Sequence, residues 1–137
     1  MVSSWKLMRS GAGAAAWNMA LDESLLCEAT RIGMPVLRFY SWTESAATFG
    51  YFQRYDEIAQ SSELRPLIRR CTGGGFVSHD RDWTYSLVFP RAHEWCGLRA
   101  EESYRRMHEW LAASFTLLGQ SVRLAECCSK ESRGRCF

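Results

Sequence analysis

Arg69-Arg70-Cys71-Thr72-Gly73-Gly74-Gly75-Phe76-Val77-Ser78-His79-Asp80 runs two arginines into three consecutive glycines and then a His-Asp pair. Three glycines in a row cost backbone entropy and weaken any regular element, so they mark a place where backbone approaches something closely. N–H groups left unpaired in such a loop can face an anion or a carbonyl, and the arginines add planar, permanently charged donors. A tight hairpin turn with an exposed basic flank satisfies the same pattern. Taken alone, the stretch leaves both readings open.

The flanks of this loop set the fold. Residues 67–70 predict a strand that ends at the glycines, and 76–79 a strand that leaves them; 83–89 alternates apolar and polar side chains and stops at Pro90. Upstream, 55–62 predicts a short helix, while 36–40 and 46–52 predict β-branched and aromatic strands joined by a hairpin-sized connection, 41–45. Further back, Trp17, Leu21 and Leu25 recur near helical spacing over 17–32, and Gly33 followed by Pro35 is a stop signal. Asp22 and Glu23 are expected in the first turns of that helix, suiting its dipole and the solvent face. Residues 5–7 predict a short opening strand, with Gly11 and Gly13 in a loop after it. Downstream, Tyr104, Met107, Leu111, Phe115 and Leu118 keep one face of a helix over 101–118, which Gly119 closes. In this reading Tyr104, Met107 and Trp110 are core packing. Residues 121–125 predict a last strand. The expectation is an α+β domain: a mixed, largely antiparallel sheet carrying two long amphipathic helices.

Composition narrows the function classes. The chain has 137 residues, 47% of them hydrophobic, which suffices for the core of one domain. A net charge of +2 with no basic stripe argues against a nucleic-acid binder, and no apolar run suits a signal peptide or a membrane span. Of the six cysteines, Cys27 lies in a helical pattern, Cys71 in the glycine loop, and Cys127 and Cys128 are adjacent. That placement suits reduced thiols and a cytoplasmic home better than a disulfide scaffold. His93-x-x-Cys96 and Cys127-Cys128 lack the paired spacing of a zinc ribbon or finger, so no metal site is expected.

Several separated segments share one likeness. Trp17-Asn18-Met19-Ala20-Leu21-Asp22-Glu23 is similar to the N-terminal helix of the lipoate–protein ligase and octanoyltransferase family. The same holds for 36–42 taken with 48–53, for the 69–80 loop as that family's signature, and for Trp83-Thr84-Tyr85-Ser86 as the strand after it. The likeness is ordered and spans almost the whole chain. It implies a fold shared with biotin ligases, with residues 1–137 forming the N-terminal part of one catalytic domain that is incomplete at its C-terminus. It further implies that Arg69, Arg70, Thr72, Gly73, Gly74 and Gly75 line an acyl or acyl-adenylate pocket, with His79 beside it. An eight-carbon chain held there gains about 0.8 kcal/mol per buried CH₂.

Two chemistries live in this family. Transferases take octanoate from acyl carrier protein through a cysteine thioester, with no cofactor; ligases activate free lipoate or octanoate with ATP and Mg2+. Both deliver the octanoyl or lipoyl group to a lysine of a lipoyl carrier domain, of the glycine cleavage H protein or 2-oxoacid dehydrogenase E2 type. Cys136-Phe137 matches the position of the nucleophile in the cysteine-dependent transferases, so Cys136 is the expected catalytic residue, against the alternative of a free cysteine at a strand start. The triplet Gly73-Gly74-Gly75 departs from this and resembles the ligase loop more closely. Family members also carry a lysine in the strand after the Cys-Phe position; Lys6 and Lys130, the lysines of this chain, do not match its context. The chain is therefore expected to be a fragment that is inactive or nearly so alone, with a non-catalytic acyl- or carrier-binding module as the rival reading. His79 with Asp80, or with Cys71, is a weaker acid–base candidate.

Overall fold

The structure, a computed structural model, describes residues 4–124. Strand β1, Lys6–Gly13, leads into helix α1, Ala15–Cys27. The helix expected over 17–32 comes in two pieces, because the backbone at Glu28 turns to φ −89° and ψ 0° before a last turn, α2, Ala29–Ile32. Gly33 ends it in left-handed backbone, φ 71°, and its N–H donates to the Ala29 carbonyl at 3.1 Å. Glycine takes that conformation without a Cβ penalty, and Pro35 stops any continuation. Next come β2 (Val36–Trp42), β3 (Ala46–Phe49), α3 (Tyr55–Ser61), β4 (Leu67–Arg69), β5 (Val77–His79) and β6 (Thr84–Val88). A 3-10 turn, Glu94–Gly97, precedes helix α4, Ala100–Leu117, whose first turn holds Glu101 and Glu102 and which Gly119 follows at φ 77°.

The strands form two three-stranded mixed sheets, β1-β2-β6 and β4-β3-β5. Each has one parallel and one antiparallel pairing, so the lean towards antiparallel pairing read from the sequence is not seen among the described residues. The reason lies in the helices. Parallel neighbours need a crossover, and α1 lies between β1 and β2 as α3 lies between β3 and β4. The connection 43–45 is hairpin-sized yet makes no hairpin, because β2 and β3 belong to different sheets. β1 is longer than the expected 5–7, pairing with β2 from Lys6 to Gly13 across a register shift at Gly11. Residues 121–124 form no strand, and Ala125 lies outside the described residues.

Helices α1 and α2 lie on the inner face of β2, where Val36, Arg38, Tyr40 and Trp42 are buried in strict alternation. Small Ala15 and Ala29 let the backbone come close. Ala15 packs with Tyr40, Trp42 and Ala46, and Ala29 with Val36 and Val88. Helix α4 packs mainly through its first half. Met107 is buried and Trp110 sets its ring 5.5 Å from Trp5, whereas Phe115, Leu117 and Leu118 are exposed.

Candidate acyl-binding cleft

A cleft of about 300 Å³ opens where the two sheets meet. One wall is the loop from Arg69 to Gly73; the others are Met19, Asp22 and Glu23 of α1, Thr84, Tyr85 and Ser86 of β6, and Tyr104 of α4. Tyr40, Thr48, Val77 and His79 complete it. Arg69, Arg70, Thr72, Gly73 and His79 are thus brought together as expected, while Gly74 and Gly75 sit behind the lining. Tyr104, read as core, is half-exposed and faces the cleft.

The glycines serve close packing of backbone on backbone. A Cβ built on Gly50 would sit 2.0 Å from the Gly74 carbonyl oxygen, and Gly74 itself has φ 90°. The Tyr51 N–H donates to the Thr72 carbonyl at 2.9 Å, tying the two loops together. Both arginines are braces as well as lining. Arg70 donates through Nη1 to Thr48 Oγ1 at 2.8 Å and through Nη2 to the carbonyls of Gly73 and Gly75 at 3.1 and 2.7 Å. Burial lowers its pKa from the ordinary guanidinium value, a cost that those acceptors offset. Arg69 donates through Nη1 to the carbonyls of Tyr51 and Gln53, both at 2.6 Å, and lies over the Phe49 ring. Among the described residues its Nε and Nη2 make no hydrogen bond, which leaves two charged donors on a residue of the cleft wall.

His79 is buried, with its ring stacked 3.8 Å from Trp42. The pairing expected with Asp80 is not formed: Asp80 accepts from Ser45 Oγ at 2.7 Å, and the partner of His79 Nδ1 is Asp82 Oδ2 at 2.8 Å. His79 Nε2 lies 2.9 Å from Thr48 Oγ1, so neither ring nitrogen is left for Cys71. Burial pushes the Cys71 thiol up, and Glu23 adds to the shift, the opposite of what an attacking thiolate needs.

Behind α1 lies a charged network that the sequence reading missed. Arg38 is 0% exposed. It donates to Asp22 Oδ1 at 2.7 Å, to the Asn18 carbonyl and Oδ1 at 3.1 and 2.8 Å, and to Ser10 Oγ at 2.8 Å. Asp22 also accepts from Tyr40 at 2.8 Å and Ser86 at 2.7 Å. Asp22 and Glu23 therefore do not cap the first turns. Helix α1 begins at Ala15, which puts them in its interior, with Asp22 pointing at the sheet. Burial, reinforced by the Asp22 carboxylate, pushes the Tyr40 phenol well above its ordinary value. The available signal was the spacing of Asn18 and Asp22, one helical turn apart on one face, opposite an arginine in an apolar strand.

Cys136, Cys127 and Cys128 lie outside the described residues. Among those described, no group of three or more His, Cys, Asp or Glu side chains is placed to hold a metal ion, and no helix is long and apolar enough to cross a membrane.

The chain resembles known proteins along nearly its whole length. The lipoyl protein ligase A/B catalytic domain model matches residues 14–134. Octanoyltransferase LipM of Staphylococcus epidermidis is 34% identical over 140 residues, which cover 98% of this chain and 51% of that protein. The crystal structure of lipoate-protein ligase A bound with ATP superposes with a TM-score of 0.66 at 27% identity, over 94% of this chain and 52% of that one. A bi-partite lipoate protein ligase from Thermoplasma acidophilum, studied with its E2 lipoyl domain, gives 0.66 at 25% identity, over 90% and 49%. The chain spans about half the length of the curated relatives it matches.

Proposed function

The chain belongs to the lipoyl protein ligase A/B catalytic domain family, and on that premise we propose that the complete protein attaches an octanoyl or lipoyl group to a lysine of a lipoyl carrier domain, through a cysteine thioester. The observation that carries the reading is the cleft walled by Arg69–Gly73, in a chain a third identical to an octanoyltransferase. In this route the Cys136 thiolate attacks the carbonyl of an octanoyl thioester, such as that on acyl carrier protein, and the donor thiol leaves. The carrier lysine amine then attacks the enzyme thioester, an amide forms, and the thiolate is regenerated. Apolar cleft surface from Met19, Val77 and the tyrosine rings takes the alkyl chain, and Arg69 faces its polar head. The substrates and the reduced cysteines suit a cytoplasmic protein.

Incubation with octanoyl acyl carrier protein tests the route by intact mass. One octanoyl adduct is expected, lost in Cys136→Ser; an adduct that survives this substitution rejects Cys136 as the acceptor. A second reading, ATP-dependent ligation, is supported by the Gly73-Gly74-Gly75 triplet and by the fold shared with an ATP-bound ligase. There ATP would supply the activating phosphoanhydride, and Arg69 with the loop backbone is the part of this chain that suits a phosphate. Octanoate-dependent release of pyrophosphate from ATP would favour that reading.

A further inference from the structure

We propose that Asp82 is a positioning residue of the cleft: through His79 and Thr48 it holds Arg70, and with Arg70 the glycine wall, in the shape that receives the acyl group. The proposal rests on the acyl-cleft reading above.

The chain of hydrogen bonds runs in one direction. Arg70 is only a donor, so at 2.8 Å it must give a proton to Thr48 Oγ1. Asp82 accepts, so at 2.8 Å it takes the proton of His79 Nδ1. His79 Nε2 is then the bare nitrogen, and at 2.9 Å it accepts from the Thr48 hydroxyl. Each link along Arg70, Thr48, His79 and Asp82 then pairs one donor with one acceptor. In the other imidazole tautomer Thr48 Oγ1 accepts from both Arg70 and His79, its own hydroxyl proton has no acceptor among the described residues though Thr48 is 1% exposed, and bare Nδ1 faces the Asp82 carboxylate. A buried donor left without an acceptor is costly, so the tautomer at His79 decides how firmly Arg70 is anchored.

Asp82 is itself held in place. Thr84 Oγ1 donates to the same Oδ2 at 3.1 Å, and Trp42 Nε1 donates to Thr84 Oγ1 at 2.9 Å. Trp42 also stacks on the imidazole, which fixes the plane of the ring. Beyond Arg70, Nη2 holds the carbonyls of Gly73 and Gly75. Asp82 therefore acts on the cleft wall at a distance, without lining it. Both donors to Asp82 use Oδ2, and Oδ1 is buried with no hydrogen-bond partner among the described residues. An amide whose oxygen takes the Oδ2 place keeps the bonds from His79 and Thr84, whereas a methyl group keeps neither.

The test compares Asp82→Asn with Asp82→Ala in the whole chain. Long-range 1H–15N spectra report the His79 tautomer, calorimetry reports octanoate affinity, and circular dichroism reports folding. Wild type and Asp82→Asn are expected to show Nδ1–H and similar affinity; Asp82→Ala is expected to lose that tautomer and to bind octanoate about tenfold more weakly. A wild-type Nε2–H tautomer, or a folded Asp82→Ala protein with unchanged affinity, overturns the proposal. If Asp82→Ala does not fold, the His79 tautomer in wild type and Asp82→Asn decides: Nδ1–H in both is expected, and Nε2–H in either overturns the relay. If wild type binds no octanoate, the acyl-cleft reading fails, and the His79 tautomer in wild type and Asp82→Asn alone judges the relay.

Discussion

Gly50 shows how one missing side chain shapes a site. Its would-be Cβ meets backbone, the Gly74 carbonyl at 2.0 Å, and a backbone oxygen cannot rotate away as a side-chain tip can. Gly50→Ala is expected to cost about 1–3 kcal/mol in urea denaturation and to weaken octanoate binding, since the loop wall must shift. Gly73 is the control: a Cβ there meets nothing within 4 Å, so Gly73→Ala should leave stability within about 0.5 kcal/mol. Tyr40 carries a pH signature. Its phenol stays protonated in the folded chain beyond the ordinary tyrosine value of about 10, because of burial and the Asp22 carboxylate. Above that pH the unfolded chain holds fewer protons than the folded one, so stability falls as pH rises; below it the contribution is fully present. Comparing urea midpoints at about pH 9 and 11 should show a steeper fall for wild type than for Tyr40→Phe. Equal slopes would assign the alkaline loss to other groups.

At the scale of elements, the join between α1 and the β1-β2-β6 sheet rests on one buried ion pair as much as on apolar packing. Arg38 spends its guanidinium on Asp22, Asn18 and Ser10 and lies 3.9 Å from the Tyr40 ring centroid. Arg38→Met should cost about 3–5 kcal/mol, because it leaves the part-buried Asp22 carboxylate without its cation. Adding Asp22→Leu should recover part of that loss, and a double-mutant cycle in denaturant measures the coupling. Local signals made these elements legible: helix α4 appears where the hydrophobic period puts it, and the stop falls at Gly33 and Pro35 as their backbone chemistry requires. The burial of Arg38 was not legible. In Val36-Leu37-Arg38-Phe39-Tyr40 both alternate sets are largely apolar, so the pattern does not say which one faces α1. Nor did local signals tell a hairpin from a change of sheet at 43–45, since both need only a short polar connection.

At the scale of the whole molecule, the cleft exists because the two sheets bring β6 and α1 opposite the loop that joins β4 to β5. A ligand that binds only this assembled arrangement stabilises it by mass action. Octanoate at a hundred times its dissociation constant should add about 2.7 kcal/mol and raise the thermal midpoint; an unchanged midpoint at saturation would argue against the cleft as the acyl site. The sequence by itself determined the α+β class, most helix and strand positions, and the family likeness, because turn chemistry, hydrophobic period and motif order are local properties of the chain. It also marked Arg69, Arg70, Thr72, Gly73 and His79, which do converge. Only the tertiary structure decided that Asp82, and not Asp80, answers His79, that Asp22 turns inward, and that the arginines brace the wall they line. Hydrogen-bond partners far apart in sequence depend on how sheets and helices are set against one another, and that setting follows from the packing of the whole core.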